Sequence, residues 1–297
     1  MKNNSGTRFS DYLQLSKLTI MLPVSLTGFT GFFMYYPHLS ISLILTCLGI
    51  LLMAVSASAL NQVQEAGLDS KMNRTNHRPI PAGRIKLTHG VIFFLCCFFC
   101  GTILIFSGGN IKAVLIALFT VLWYNGVYTY SKRITAFAVV PGALTGALPP
   151  LIGWVAAGGG IWDKPIIFLE FLFFTGQIPH FWLLILKYGE EYKKAGIPTL
   201  TNIFTTGQIN RLTFTWVVTS VIAAVFLGYF EVIRTGAIVG ILLIASVFLI
   251  WKFSGLLKLS ADEQPDKKYS ILLDSYFLLI LILLILDRII GGCYQNL

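Results

Sequence analysis

The stretch SISLILTCLGILLMAVSASALNQ, residues 40–62, holds no charged side chain along 23 residues. Wound as a helix at about 1.5 Å per residue, it reaches about 35 Å, enough to cross a hydrocarbon core about 30 Å thick. Directly after it comes VQEAGLDSKMNRTNHRPIPAGR, residues 63–84, dense in acids, bases and turn formers. A change from unbroken apolar sequence to dense charge within one turn marks the point where a helix leaves the lipid.

The same alternation runs outward in both directions. Apolar runs and their breakers give nine candidate spans, at 13–35, 40–62, 89–107, 112–131, 135–157, 165–187, 212–230, 235–253 and 271–290. Over the 297 residues, 56% are hydrophobic and 12% charged, against about 45–50% and about 25% in an ordinary soluble domain. This excludes a soluble enzyme, a disordered chain and a secreted disulfide scaffold. Strands of an outer-membrane barrel would alternate over about ten residues, which these runs do not. The fold class is therefore all-α and polytopic, with residues 1–297 forming one integral-membrane domain. The polar start, MKNNSGTRFSDYLQLSK, and the absence of a small-residue cleavage site after it predict no cleavable signal peptide.

The net charge of +9 could suggest a nucleic-acid partner, but its placement argues against one. With the N-terminus in the cytoplasm and strict alternation, 18 of the 22 Lys and Arg residues fall inside. Only Lys112, Lys164, Arg234 and Arg288 fall outside. This is the positive-inside bias, and it predicts a cytoplasmic N-terminus and an external C-terminus. The cysteines Cys47, Cys96, Cys97, Cys100 and Cys293 lie mostly within apolar runs. The CxxC spacing of Cys97 and Cys100 has no second pair or histidine to complete a metal site, so these read as packing residues. Gly142 and Gly146, in GxxxG spacing, read as a close helix–helix contact.

Charge at membrane depth is costly, so clustered charge at helix ends points to chemistry. Asn61, Glu65 and Asp69 stand at steps of four. On a continuous helix they share one face, drifting about 40° per step. Three oxygen-bearing side chains on one face suit a hard divalent cation such as Mg²⁺. Arg74 and Arg78 follow, and two guanidiniums beside a metal suit a diphosphate. A second region, PHFWLLILKYGEEYKKAGIPTL at 179–200, places His180 beside Trp182 in an apolar run. Lys187, Glu190, Glu191, Tyr192, Lys193 and Lys194 follow at its charged end. His180 is either a structural hydrogen-bonder or an imidazole for a porphyrin iron or for proton handling. A third cluster, YNGVYTYSKRIT at 124–135, carries Lys132 and Arg133 after Tyr128 and Tyr130. An aromatic belt with positive-inside charge explains it as well as a diphosphate contact does.

At these residues the chain resembles the UbiA-type superfamily of intramembrane prenyltransferases, and within it the protoheme IX farnesyltransferase branch. The resemblance rests on N-x3-E-x3-D-x-x-M-x-R-T-x-x-R-P at 61–79, YTYSKRIT at 128–135, GALTGALPPLIGWVA at 142–156, and PHFW with EEYKKAGIPTL. It covers roughly the first seven spans. The family usually has Asp at the position of Glu65, commonly Asp where Gly67 stands, and Asp at the position of Glu191. The resemblance implies a helical bundle around a central cavity in a bacterial cytoplasmic membrane. It further implies Mg²⁺ held by Asn61, Glu65, Asp69 and Glu191, the first three being catalytic. Farnesyl diphosphate would be bound by Arg74, Arg78, Lys132, Arg133, Lys187, Glu190, Glu191 and Tyr192. The farnesyl group would pass to a vinyl group of haem B, with His180 on the haem side and membrane lipid as a further partner. Two rivals differ in chemistry: prenylation of a quinone or other aromatic ring, and a transporter or haem-binding protein without catalysis. No paired inverted repeat marks transport, and the acids gather at one face.

A reporter placed in the 66–88 loop is expected to read as cytoplasmic, and one fused after Leu297 as external. Reporters on the same side would mean an even number of spans.

Overall fold

The computed structural model describes residues 8–259 and 263–294, with 292–294 described by their backbone alone. Lys2, Leu297 and the side chain of Cys293 lie outside the described residues. The helices are α1 (Phe9–Ser16), α2 (Leu18–Tyr35), α3 (Ile41–Gln64), α4 (Ala66–Asp69), α5 (Leu87–Gly108) and α6 (Ile111–Leu122). They continue with α7 (Thr129–Ile134), α8 (Val139–Ala156), α9 (Lys164–Lys194), α10 (Thr206–Tyr229), α11 (Gly236–Phe253) and α12 (Lys267–Tyr294). A π-helical turn, Trp123–Tyr128, joins α6 to α7. Among the described residues, nine helical segments are long and apolar enough to cross a membrane, in the order the sequence predicts.

Two boundaries differ from the sequence reading. The first span begins at Leu18, not near residue 13, because Lys17 adopts the left-handed conformation (φ 47°, ψ 45°) and separates α1 from α2. The Leu15 carbonyl, freed at this break, accepts a 2.7 Å hydrogen bond from the buried Gln62 amide, so the lost helical bond is replaced from α3. The sixth span runs on to Lys194, not 187. The charged residues after Lys187 therefore stand on a rigid helix and not in a loop.

The membrane-spanning segments form a closed ring in which each packs on the next, and α12 returns to α2. α8 lies against α2, α3, α6 and α9 and is buried along most of its length. Lipid gives no hydrophobic drive for helices to associate, so tight contact relies on small residues. The α2–α8 seam shows this: a Cβ on Gly153 would collide with the Gly28 carbonyl, and one on Gly31 with the Pro150 carbonyl. The α3–α5 seam is similar, with a Cβ on Gly101 only 3.0 Å from the Gly49 carbonyl oxygen. Gly142 and Gly146 do something else. They are seats for side chains, the Tyr128 ring at Gly142 and Gln177 at Gly146, not a helix–helix backbone contact.

Gly153→Leu is expected to destabilise the protein by about 1–3 kcal/mol or more through overpacking. Gly240→Ala, whose new methyl meets open space, is expected to leave the melting temperature in detergent unchanged or raised. Equal effects of the two substitutions would contradict the seam.

Candidate active site

α3 ends at Gln64, and Glu65 leaves the helical conformation (φ −101°, ψ 6°) before α4 begins. The amide ladder nevertheless spans the break, with Glu65 N–H donating to Asn61 O at 2.9 Å and Asp69 N–H to Glu65 O at 2.8 Å. Asn61, Glu65 and Asp69 therefore keep their steps of four, and all three are buried. Each is partnered. Lys132 Nζ lies 2.6 Å from Glu65 Oε1, Arg78 Nη1 lies 2.7 Å from Asp69 Oδ2, and Asn61 Nδ2 donates to Thr129 Oγ1 at 3.0 Å.

The π-helical turn explains how Lys132 arrives there. It places Asn125 in the protein interior, where its Nδ2 donates to Ala57 O at 3.0 Å and to Gln64 Oε1 at 3.1 Å. Gln64 Nε2 returns a 3.2 Å bond to Asn125 O, and Arg133 Nη2 donates to Gln64 O at 2.8 Å. This ties α7 to the end of α3. Lys132 then sits 4.8 Å above the Tyr128 ring, itself seated on Gly142.

The second charged segment closes over the first. Met72, Ala195 and Ile197 form a small buried cluster with Leu68 and Tyr192. Above it, Arg74 N–H donates to Glu191 Oε2 at 3.0 Å, and Arg74 Nη2 donates to Tyr192 OH at 2.9 Å. The Arg74 guanidinium also lies 5.0 Å from the centre of the Tyr188 ring. Thus Asn61, Glu65, Asp69, Arg74, Arg78, Lys132, Glu191 and Tyr192 come together. Arg133 binds the backbone at their edge. Glu190 and Lys187 are exposed, and Glu190 makes no hydrogen bond or ion pair among the described residues. His180 lies earlier on α9, with Nδ1 2.8 Å from Asp274 Oδ1.

No three His, Cys, Asp or Glu side chains among the described residues form a self-sufficient metal cluster. Mg²⁺ does not need one, because it takes one or two carboxylates and completes its shell with water and substrate phosphate. The buried set of two carboxylates and an amide, all hard oxygen donors, fits such an ion.

Lys17 belongs to this corner and was counted in the sequence only as topological charge. Left-handed backbone costs a non-glycine residue about 1–2 kcal/mol. Here it directs the ammonium to within electrostatic reach of Arg78, Asp69, Lys132 and Glu65. Burial, followed by the like charge of Arg78, pushes its pKa down to about 7. A left-handed residue between two helical runs leaves no mark in hydrophobic periodicity.

The profile of the UbiA prenyltransferase family matches residues 22–281. The chain is similar to the protoheme IX farnesyltransferase of Nitratidesulfovibrio vulgaris strain DP4, with 38% identity over 64% of this chain and 66% of the relative. The chain thus spans about two thirds of that relative's length. It is also similar to the protoheme IX farnesyltransferase of Legionella pneumophila strain Paris, with 34% identity over 94% of this chain and 95% of the relative. Among solved structures, a UbiA homolog from Archaeoglobus fulgidus bound to GPP and Mg²⁺ superposes with a TM-score of 0.73. That match has 17% identity and covers 94% of this chain and 98% of the homolog, a likeness of fold alone. The family match and the nine apolar helices make the chain an integral membrane protein.

The lowered pKa of Lys17 gives a signed pH dependence. Between about pH 7 and about pH 10.5 the unfolded chain binds more protons at this site than the folded one, so stability contributed there rises with pH across that window. The cost of charging Lys17 is fully present below pH 7. Lys17→Met is expected to show a flatter dependence of melting temperature on pH between 6 and 9 than the parent. Identical slopes would remove Lys17 from the buried corner.

Proposed function

This chain belongs to the UbiA prenyltransferase family, and from that premise we propose that it transfers a farnesyl group from farnesyl diphosphate to a vinyl group of haem B, giving haem O. The observation that carries this reading is the pair of buried ion pairs, Glu65–Lys132 and Asp69–Arg78, set at the end of a membrane-spanning helix. The two pairs form a neutral set of two carboxylates and two cations. An incoming diphosphate draws Lys132 and Arg78 to its oxygens and leaves the carboxylates free for a divalent cation. Partners are exchanged and no charge is left bare, which keeps the desolvation cost low.

Asn61, Glu65 and Asp69, with Glu191 from the facing segment, would hold Mg²⁺. When bound, that ion neutralises charge building on the leaving diphosphate. The protein's own part is to orient that group. Arg78 and Lys132 face its oxygens, and Arg74 is held ready by Glu191 and Tyr192. Lys187 and Glu190 are exposed and would be open to an arriving diphosphate, and Arg133 binds the Gln64 carbonyl at the edge of the site. The allylic C–O bond breaks and its electron pair leaves with the diphosphate. The allylic cation adds to the vinyl group, and water then adds to the new cation and loses a proton. The Tyr128 and Phe181 rings, 6.3 Å apart, offer aromatic faces that stabilise a cation without quenching it. His180 lies ten residues before Glu190 on the unbroken helix α9, about 15 Å away. A porphyrin held by His180 would lie deeper than the diphosphate, with the prenyl chain spanning the gap. Supporting the choice of acceptor are the relatives' names and the PHFW and EEYKKAGIPTL segments. The orientation that goes with it puts the charged mouth, and the N-terminus, on the cytoplasmic side of a bacterial cytoplasmic membrane.

Purified protein incubated with Mg²⁺, farnesyl diphosphate and haem B is expected to yield a haem heavier by one hydroxyfarnesyl addition on mass analysis, and none in excess chelator. Asp69→Asn is expected to lower turnover by about a hundredfold or more. Asn is preferred to Ala because truncation would leave the Arg78 guanidinium without its partner. Product from an aromatic acceptor but not from haem B would overturn the acceptor, and full turnover in chelator would overturn the metal.

A further inference from the structure

Asp274 stands inside the last membrane-spanning segment, Lys267–Gly291, where an acidic side chain is rare and marks function more often than packing. Its Oδ1 lies 2.8 Å from His180 Nδ1. We propose that Asp274 is a positioning residue for His180, holding the imidazole so that Nε2 faces the acceptor porphyrin; this rests on the haem-side reading of His180 given above.

The chemistry of the pair sets the tautomer. An ionised carboxylate can only accept a hydrogen bond, so Nδ1 must carry the proton. In the neutral ring this leaves the lone pair on Nε2, the arrangement carboxylates impose on histidines that bind iron or zinc. The contact is built into the packing of α9 on α12. One turn before His180, Gly176 has no side chain, and a Cβ there would collide with the ring of Phe277. Phe277, three residues after Asp274, therefore seats against α9 and fixes the register that brings the carboxylate to the imidazole. Phe173 lies on the same ring, with centroids 6.0 Å apart.

The pair also connects to the diphosphate corner. The His180 and Phe181 ring centroids are 6.1 Å apart, and Phe181 lies 6.3 Å from Tyr128, the ring beneath Lys132. A plane set against His180 thus meets the same aromatic path that ends at the Glu65–Lys132 pair. The side chains of His180 and Asp274 are 33% and 57% accessible. A bulky planar ligand can reach them, and removing the carboxylate empties no buried space.

The test uses full-length protein in detergent, with Asp274→Ala, Asp274→Glu, Asp274→Asn and His180→Ala. Haem B is titrated by its Soret absorption, farnesyl diphosphate binding is measured separately with Mg²⁺, and each melting temperature is recorded. Asp274→Ala is expected to weaken haem binding about 10–100-fold and to shift the Soret band, with farnesyl diphosphate affinity and melting temperature unchanged. Asp274→Glu is expected to recover part of the haem affinity. The nearly isosteric Asp274→Asn supplies the same comparison if the alanine variant does not fold. An unchanged Soret titration in Asp274→Ala overturns the proposal, and so does a parallel loss of both ligands and of melting temperature, the mark of a simple helix clasp. If His180→Ala loses haem and Asp274→Ala does not, only the positioning role falls. If His180→Ala binds haem as the parent does, the haem-side reading of His180 falls and the positioning role with it.

Discussion

A charge at the edge of a bilayer must find its partner within the protein, because the lipid supplies none. Two buried carboxylates on consecutive turns, Glu65 and Asp69, face that constraint most severely. Left alone, each would cost several kcal/mol to bury. Lys132 and Arg78 answer them, and the surrounding structure serves to bring those cations there. The π-helical turn, the Asn125–Gln64 exchange and the seat for Tyr128 on Gly142 all set the position of Lys132. The far end of the bundle obeys the same rule. Asp287, buried in α12, accepts from the backbone N–H groups of Arg234 and Thr235 at 3.1 and 2.8 Å and so caps the start of α11.

Pairing inside the protein has a counterpart in packing. Where backbones approach most closely, at α2–α8 and α3–α5, glycine removes the obstacle. Where glycine receives a side chain, at Gly142 and Gly176, it fixes the position of a ring next to a charged group. Missing side chains thus act on the site from a distance. They decide where aromatic rings stop, and the rings decide where Lys132 and Asp274 reach.

Much of this was legible in the sequence. The spans were readable because lipid thickness imposes a run length that soluble proteins rarely reach. The spacing of Asn61, Glu65 and Asp69 was readable because a four-residue step survives even a kink at Glu65. The start of α2 was misplaced because its break depends on Gln62, 47 residues away from Leu15, and no local pattern carries that. The end of α9 was placed too early because mixed charge on a projecting helix looks like a loop. Lys17 passed as one topological cation among many, and Asp274 was not singled out, because its partner His180 lies 94 residues away. The departures from the family pattern also take on a physical form. Glu65 spans the distance to Lys132 with its longer arm, and Gly67 faces open space, so the acid commonly found there has no neighbour to press against.

The ion pairs also differ in how far apart their partners lie along the chain. Asp69 and Arg78 are nine residues apart, so this pair can close as soon as the second span has emerged. Glu65 must wait for Lys132, which arrives only with the fourth span. Arg74 waits longest, since Tyr192 lies 118 residues downstream, at the end of the sixth. Synthesis proceeds from the N-terminus, so the carboxylates at the mouth are neutralised in a fixed order. During biogenesis Glu65 therefore passes through an interval without its cation, in which it must stay in contact with water or with the insertion machinery.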